Sequence, residues 1–456
     1  ITLWVSRMVM FNRYFRDGLL PFREVFIHLI IQDGAGQKMS KSLGNGVDPR
    51  DIIHTHGADA LRFVLAQMST NTQDARLPVD LVCPFTGEVF EPKMTRTSQG
   101  YLVPEPVQAS PADPSKKMAT LYGMVSGLAE PSGELPLAKN TSSRFDAGRN
   151  FANKLWNACR FALGSLEKSD PDAGGELTII DRWIISRLAG SLATIQRHID
   201  MYEFHICSEV IYDFVWRDFC DWYLEGIKPT VGSNSAQQRM LAGIINATLR
   251  LVHPFCPFVT EALWPHVDAV TPELPGLPLE RSEMLINAHW PVPDMDLHDP
   301  EIESEFGRVK ELVGVIRNMR SQNNVPPKAR LVLHADSETT ELIRQAGGVV
   351  QTMAGLSDVQ DLDDAQEAIP IGFEGRTLML GGLVGQVDIA SEKNRLDKLI
   401  QEKQKAVTGF TNKLSNKGYV DNAPDALVEQ TRQLLAQAEA DLEAARTSLG
   451  VLEGGA

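Results

Sequence analysis

The chain has 456 residues, of which 43% are hydrophobic and 23% charged, and its formal net charge is −15. This length suits roughly three or four domains, and the composition is that of a globular protein rather than a disordered or fibrous one. No apolar run approaches the ~20 residues of a membrane span, so we expect no membrane partner. The negative charge does not exclude a nucleic-acid partner, because recognition depends on local basic patches.

The cysteines indicate a reducing environment. They form no C-x-x-C pair and stand at Cys83, Cys159, Cys207, Cys220 and Cys256. Three of them fall among helical apolar residues, which predicts buried free thiols, a cytoplasmic location and no bound metal. Cys83-Pro84 followed by Thr86-Gly87 has the form of half a zinc-ribbon knuckle, but one cysteine cannot hold a tetrahedral site.

Residues 1–80 are predicted to form the last part of an α/β nucleotide-binding domain. Residues 1–5 have the pattern of a buried strand, so we expect the chain to be the C-terminal portion of something longer. Residues 25–31 predict a strand buried on both faces, as in a parallel sheet. Asp48 is a favourable N-cap with Pro49 at the first helical position, and Gly57 predicts the end of that helix.

The string Lys38-Met39-Ser40-Lys41-Ser42 follows the second of these predicted strands, with glycines on both sides. Lysine acts as a mobile point charge toward phosphate, and flanking glycines let the backbone hinge and approach a ligand. Ligands bind at the carboxyl ends of strands in open α/β sheets. The pattern therefore predicts a loop that folds over a polyphosphate, although K-x-x-K alone also suits a solvated lysine loop.

Four further segments follow. Residues 81–143 predict an irregular insertion of turns, short hairpins and loop, either plain or a degenerate zinc ribbon. Residues 144–300 predict an antiparallel helical bundle, because long amphipathic helices are joined by short loops. Residues 301–390 predict a small α/β unit, and residues 391–456 an antiparallel coiled-coil hairpin with heptad spacing. The bundle helices are predicted over 146–166, from Asp181 as the N-cap of the next helix, over 203–225, over 236–252 and from Pro257.

The two arms of the predicted hairpin differ in charge. Residues 391–420 hold seven Lys/Arg and three Asp/Glu, whereas residues 421–456 hold two and seven. One interpretation is a solvated coiled coil whose arms attract each other. The other is a basic arm that faces a phosphate backbone.

Several of these stretches resemble the valyl branch of the class I aminoacyl-tRNA synthetases. Lys38–Ser42 resembles the second class I signature, and residues 57–63, 149–157 and 253–258 continue the match. The resemblance covers nearly the whole chain except about 81–143. It implies the end of a Rossmann-like catalytic domain at 1–80, an anticodon-binding bundle at 144–300, a connecting α/β domain at 301–390 and a tRNA-binding arm at 391–456.

The resemblance implies ATP-dependent activation of L-valine and its transfer to tRNA(Val) in protein biosynthesis, with Mg²⁺ entering as the ATP complex. By motif, Lys41 would contact the ATP phosphates and Lys38 would help to hold the closed loop. Ser40 and Ser42 would shape the loop as part of the ATP-binding site, and Met39 would pack against the domain.

The resemblance also suggests residues outside the loop. By position, Trp4 would line the valine pocket, with an ordinary core aromatic as the alternative. The basic arm would dock on the outer corner of tRNA, and the enzyme would act as a monomer. The candidate tRNA-binding residues are Lys393, Arg395, Lys398 and Lys413.

Two features of the family are not in the sequence. None of the ten histidines supplies the first class I signature, H-x-G-H, and no editing domain is recognisable. We therefore expect that this chain alone cannot make valyl-adenylate. The alternatives are a non-catalytic tRNA-binding module and a sister synthetase for isoleucine, leucine or methionine.

Overall fold

A computed structural model describes most of the chain. The described residues are 3–27, 30–70, 74–167, 174–270, 274–323, 325–365, 368–382, 389–422 and 424–454. Among them, no helix combines the length and apolar character that crossing a bilayer requires.

The beginning of the chain differs from prediction. Helix α1 spans Trp4–Phe15 and buries none of its residues. Residues 25–27 form no strand, and residues 28 and 29 of the second predicted strand lie outside the described residues. The only strand here, β1 (Ile31–Asp33), pairs in parallel with β2 (Ala75–Leu77) in the described part of the chain.

The strand predicted over residues 1–5 is therefore wrong at Trp4 and Val5, and the strand predicted over 25–31 is wrong at 25–27, although Ile31 begins β1. A strand needs neighbours to bond its backbone groups, and the described residues supply only β2 to this sheet. A helix satisfies most of its own backbone groups, so an apolar segment without strand neighbours can still form one.

Two short helices follow the signature string, the first of them as predicted. Asp48 caps α2 (Pro49–His56) by accepting a hydrogen bond from the Arg50 backbone N–H at 2.9 Å. Gly57, at φ +92°, separates α2 from α3 (Ala58–Met68). A small apolar cluster holds these helices against β2, with Ile52, Val64, Met68, Leu77 and Phe145 at its centre.

The insertion, residues 81–143, consists of short strands and turns, as predicted. Strand β3 (Asp80–Val82) lies between β4 (Val89–Phe90) and β9 (Lys139–Thr141) in an antiparallel sheet. The remaining elements are the hairpins β5 (Met94–Arg96) with β6 (Leu102–Pro104) and β7 (Val107–Ala109) with β8 (Lys117–Ala119), and the short helix α4 (Leu121–Val125).

The helical bundle contains helices close to the predicted bounds. They are α5 (Phe145–Leu166), α6 (Ile179–Asp200), α7 (Phe204–Tyr212), a π-helical segment (Asp213–Leu224), α8 (Glu225–Ile227), α9 (Ser235–Val252) and α10 (Pro257–Asp268). The single helix predicted over 203–225 is thus continuous but changes its winding at Asp213. Asp181 is not the N-cap of α6: Thr178 is, and Asp181 completes a capping box three residues later.

All five cysteines are buried free thiols, as predicted for Cys159, Cys207 and Cys220. Burial raises the pKa of Cys159 to about 12 and that of Cys207 to about 11, so these thiols stay protonated near neutral pH. Cys83 Sγ lies 3.3 Å from Ser110 Oγ. Within the described ranges, no group of three or more metal-ligating side chains comes together.

The segment predicted as a small α/β unit contains both helices and strands. Helix α11 (Pro300–Gln322) precedes β10 (Leu331–Ala335), α12 (Ser337–Gln345), α13 (Val349–Ala354), β11 (Leu356–Asp361), β12 (Ala368–Phe373) and β13 (Arg376–Gly381). The sheet order is β11-β10-β13-β12, with β10 and β11 parallel. This unit shares one continuous apolar core with the bundle.

The chain continues into a helical hairpin. Helix α14 (Ile389–Ser415) is followed by α15 (Lys417–Asn422) and α16 (Asp425–Gly454). Lys403 Nζ lies 2.6 Å from Asp441 Oδ2, and Tyr419 bonds Thr431 at 2.8 Å. These pairings run in opposite directions along the two sequences, so α14 and α16 are antiparallel.

A charged cluster joins α6 and the π-helical segment of the bundle to α11 of the α/β unit. Asp218 accepts from Arg187 Nε at 2.8 Å and lies 3.3 Å from Lys310 Nζ. Lys310 also lies over the Trp183 ring, 4.0 Å from its centroid, and burial there lowers the pKa of Lys310. Removing Asp218 would leave Lys310 without the carboxylate that it contacts, whereas Arg187 would keep Glu303 at 3.0 Å.

We expect Asp218→Asn to lower the free energy of unfolding by about 2 kcal/mol, because it leaves the half-buried Lys310 ammonium without a charged hydrogen-bond partner. Urea unfolding followed by tryptophan fluorescence measures this loss. Asp221→Asn is the matched control: Asp221 pairs with Lys154 at 2.6 Å, but its side chain is half exposed, so the expected loss is below about 1 kcal/mol. Equal losses in the two variants would contradict the role assigned to the cluster.

Candidate functional site

The signature loop, residues 34–46, begins where β1 ends at the buried carboxylate of Asp33. Asp33 Oδ1 accepts from the backbone N–H groups of Ala35 and Gln37 at 3.0 and 2.9 Å. Asp33 Oδ2 accepts from the side-chain amides of Gln37 and Asn45 at 2.9 and 2.8 Å. One carboxylate therefore fixes both the start and the end of the loop, since a buried carboxylate requires such donors.

Asn45 closes the loop from its other end. Its Oδ1 accepts from the Ser40 backbone N–H at 2.9 Å, while its Nδ2 donates to Asp33. Asn45 is 3% exposed, so these bonds form away from solvent. Ser40 thus receives its position from Asn45, and Asn45 from Asp33.

The hydroxyl and apolar residues of the signature stabilise the same conformation. Ser40 Oγ lies 3.1 Å from Ser42 Oγ and accepts from the Leu43 backbone N–H at 3.2 Å. Met39 packs against the apolar cluster around Ile52. Ser40 and Met39 thereby connect the loop to the domain.

The two lysines of the signature point away from these contacts. Lys38 and Lys41 are both exposed. Neither ammonium group has an ion-pair partner within the described residues. A backbone held by buried hydrogen bonds therefore carries two solvated cations, an arrangement suited to contacting a polyanion such as a polyphosphate.

The insertion contacts the loop directly. The Gln37 side chain exchanges two hydrogen bonds with the Leu102 backbone, both 2.7 Å long, and Asn140 donates to the carbonyl oxygens of Gly44 and Gly46, both at 2.8 Å. A cleft of about 500 Å³ lies between the two segments. Its lining includes Asp33, Gly34, Ala35 and Asn45 from the loop side.

Sequence reasoning identified the lysines and serines of the loop but not Asp33, Gln37, Asn45 or Asn140. A signal was available for two of them, because Asp33 directly precedes a glycine at a predicted strand end and Asn45 stands between two glycines. Short polar side chains beside glycine favour turns whose backbone they bond themselves. Asn140 is about a hundred residues away and carries no such local signal.

Trp4 and the basic arm lie elsewhere. Trp4 is 68% exposed on α1, so it is not a core aromatic in the described part of the chain, and its role in a valine pocket stays a prediction. On α14, Lys393 is half-buried, whereas Lys398 and Lys413 are exposed. The side chain of Arg395 lies outside the described residues.

Three sequence families match parts of the chain. Residues 1–78 match tRNA synthetases class I (I, L, M and V), and residues 181–335 match the anticodon-binding domain of tRNA ligase. Residues 388–453 match the valyl tRNA synthetase tRNA binding arm. These matches leave the insertion uncovered.

Curated relatives match almost the entire chain. A valine–tRNA ligase of Rhodopirellula baltica is 36% identical over 97% of this chain and 43% of its own length. One of Dechloromonas aromatica is 34% identical over 99% of this chain and 46% of its own length, and one of Thermotoga maritima is 30% identical over 95% and 42%. Sequence similarity therefore places the chain in the valine–tRNA ligase family of class I tRNA synthetases, as a chain that spans less than half the length of those relatives.

Proposed function

We propose that this chain is the part of a valine–tRNA ligase that carries the second class I signature and the tRNA-binding domains. The reaction joins the carboxylate of L-valine to the α-phosphate of ATP, releases pyrophosphate and passes the valyl group to tRNA(Val). The relatives' names and the match to the valyl tRNA synthetase tRNA binding arm support valine over isoleucine, leucine or methionine. The location would be cytoplasmic and the enzyme a monomer.

The observation that carries the catalytic part of the proposal is the signature loop itself. Lys41 and Lys38 are exposed cations on a backbone that Asp33 and Asn45 hold from within. Lys41 would contact the ATP phosphates, and Lys38 would help to hold the closed loop. Preorganised cations of this kind stabilise charge that develops on the leaving pyrophosphate, and they do so without reorganising at the moment of reaction.

The chain is proposed to be inactive alone in valyl-adenylate formation. It contains one of the two class I signatures, since no histidine in it stands in an H-x-G-H string. The alternative is a non-catalytic module that binds tRNA, in which the loop no longer works. Aminoacylation of tRNA(Val) by the protein of the complete reading frame separates the two functions.

The helical hairpin is proposed to bind the phosphate backbone of tRNA. Lys403 is already paired with Asp441 across the hairpin, so part of the charge difference between the arms holds them together. Lys398 and Lys413 remain exposed on α14. The hairpin therefore combines the two interpretations of its charge: pairing between its arms and a basic surface toward solvent.

We expect replacement of Lys393, Arg395, Lys398 and Lys413 by Glu to weaken tRNA(Val) binding and to flatten its dependence on salt. Each lost phosphate contact reduces the slope of log affinity against log salt by roughly one. Filter binding between about 50 and 200 mM salt measures both quantities. Unchanged affinity and slope would exclude the hairpin as the docking surface.

A matched charge control comes from exposed lysines of the insertion. Replacing Lys93, Lys116 and Lys117 by Glu makes most of the same change in net charge, far from the hairpin in sequence. We expect the salt dependence to stay close to that of the unaltered protein. A similar loss in the control would show that overall charge, rather than the hairpin surface, governs binding.

A further inference from the structure

The insertion meets the signature loop along three separate contacts. It lies outside the matched family segments. Its strands form a small sheet and two hairpins of their own, so they could in principle stand apart from the loop. Instead, β6, α4 and β9 each provide one contact to residues 37–46.

The first contact is made by Gln37. Its side-chain amide donates to the Leu102 carbonyl and accepts from the Leu102 N–H, both at 2.7 Å, in the manner of a neighbouring strand. The same amide nitrogen donates to Asp33 at 2.9 Å. Gln37 therefore connects the carboxylate that anchors the loop to the backbone of β6.

The second contact is made by Asn140 on β9. Its Nδ2 donates to Gly44 O and Gly46 O at 2.8 Å each, and the residue is 6% exposed. Asn140 Oδ1 is buried without a partner among the described residues. Buried polar atoms are rarely left unpaired, because desolvation is costly. The Asn140 amide is thus oriented so that its nitrogen bonds the two loop carbonyls, although its oxygen is then left without a partner among the described residues.

The third contact is steric. Gly44 has φ +59°, and a Cβ there would lie 2.4 Å from the Tyr122 backbone nitrogen and 2.7 Å from the Leu121 carbonyl carbon. The loop backbone therefore rests directly on the beginning of α4. Only glycine fits this approach, both for its conformation and for space.

We propose that the insertion is a positioning element that fixes the signature loop for ATP, with Asn140 as its principal side chain. This rests on the proposed function. Because Asn140 bonds the two carbonyls that follow Lys41 and Ser42, its loss would let the lysines move away from the phosphates. The affinity for ATP would suffer while the affinity for valine, which the loop lysines do not contact, would stay the same.

The test replaces the amide by an isosteric carboxylate. Asn140→Asp turns the donor into an oxygen that faces two carbonyl oxygens, and we expect hydrogen exchange at the Ser40, Leu43 and Gly44 amides to become about tenfold faster. In valine-dependent ATP–pyrophosphate exchange by the protein of the complete reading frame, the KM for ATP should rise at least severalfold and the KM for valine should not change.

Thr141→Val is the control on the neighbouring position of β9. Thr141 is buried, and its hydroxyl has no partner among the described residues. Removing this hydroxyl should therefore leave the hydrogen exchange of the loop amides and the KM values for ATP and valine unchanged. If Asn140→Asp does not fold, Gly44→Ala provides a second variant that displaces the loop from α4.

Unchanged hydrogen exchange of the loop amides in the folded variants would overturn the proposal. Faster hydrogen exchange with unchanged KM values would also overturn it. If the unsubstituted protein showed no valine-dependent ATP–pyrophosphate exchange, that result would refute the proposed function instead. Hydrogen exchange of the loop amides would then still decide whether the insertion fixes the loop.

Discussion

Lys41→Ala should lower the rate of valine-dependent ATP–pyrophosphate exchange by about 10²–10³-fold, the usual effect of removing one preorganised group that stabilises transition-state charge. Lys41 is exposed and has no ion-pair partner among the described residues, so its removal should not destabilise the fold. The loss should therefore appear in the rate and not in the unfolding free energy. Steady-state exchange kinetics and urea unfolding of the same preparation measure the two quantities.

Lys139→Ala is the matched control for this prediction. Lys139 is another exposed lysine, next to Asn140 on β9, and its partner is Asp51 at 2.5 Å. A surface ion pair contributes at most about 1 kcal/mol to stability. We therefore expect the replacement of Lys139 to change the rate of ATP–pyrophosphate exchange by less than about threefold. Comparable rates for Lys41→Ala and Lys139→Ala would contradict the assignment of Lys41 to the ATP phosphates.

Asn45→Asp should detach the signature loop from its anchor. The substitution places a carboxylate where an amide now donates to Asp33 at 2.8 Å, with both residues buried. Two like charges without compensation cost about 3 kcal/mol in such a site. Hydrogen exchange of the loop amides should accelerate by roughly 100-fold, which is the factor that corresponds to this energy.

Gln32→Glu makes the same chemical change at the surface. Gln32 Nε2 donates to the Asp74 carboxylate at 2.6 Å, but that pair is exposed. Water and salt screen exposed charges, so Gln32→Glu should destabilise the protein by less than about 1 kcal/mol. Hydrogen exchange of the loop amides should stay nearly unchanged. If Asn45→Asp behaved like Gln32→Glu, the buried Asp33–Asn45 bond would not be what holds the loop.

The helices could be predicted from the sequence because their signals are local. Asp48-Pro49 caps α2, and apolar residues at helical spacing mark the bundle and the hairpin. The misplaced cap of α6 shows the limit of this reasoning. Thr178 and Asp181 are both good capping residues. Only the capping box shows that Thr178 is the cap: its side chain accepts from the Asp181 backbone N–H, and the Asp181 carboxylate accepts from the Thr178 backbone N–H.

The strands at the beginning of the chain could not be predicted in the same way. An apolar run becomes a strand only when neighbouring strands bond its backbone. Among the described residues, β1 has one neighbouring strand, β2, and α1 begins at Trp4, inside the segment predicted as a strand. Periodicity carries no information about whether those neighbours are present.

The candidate site shows the same division between local and distant information. Lys38 to Ser42 could be found because the string itself suits phosphate contact. The side chains that hold it come from positions far apart, with Asn45 bonding Asp33 and Asn140 bonding Gly44. A single sequence does not reveal pairs separated by twelve or by ninety-six residues.

Aminoacylation of tRNA(Val) by the protein of the complete reading frame tests the proposed function most directly. Valine should be attached to tRNA(Val) in preference to isoleucine, leucine or methionine, and Lys41→Ala should nearly abolish the reaction. Absence of valyl-tRNA, preference for another amino acid, or charging that does not depend on Lys41 would contradict a valine–tRNA ligase that uses this loop.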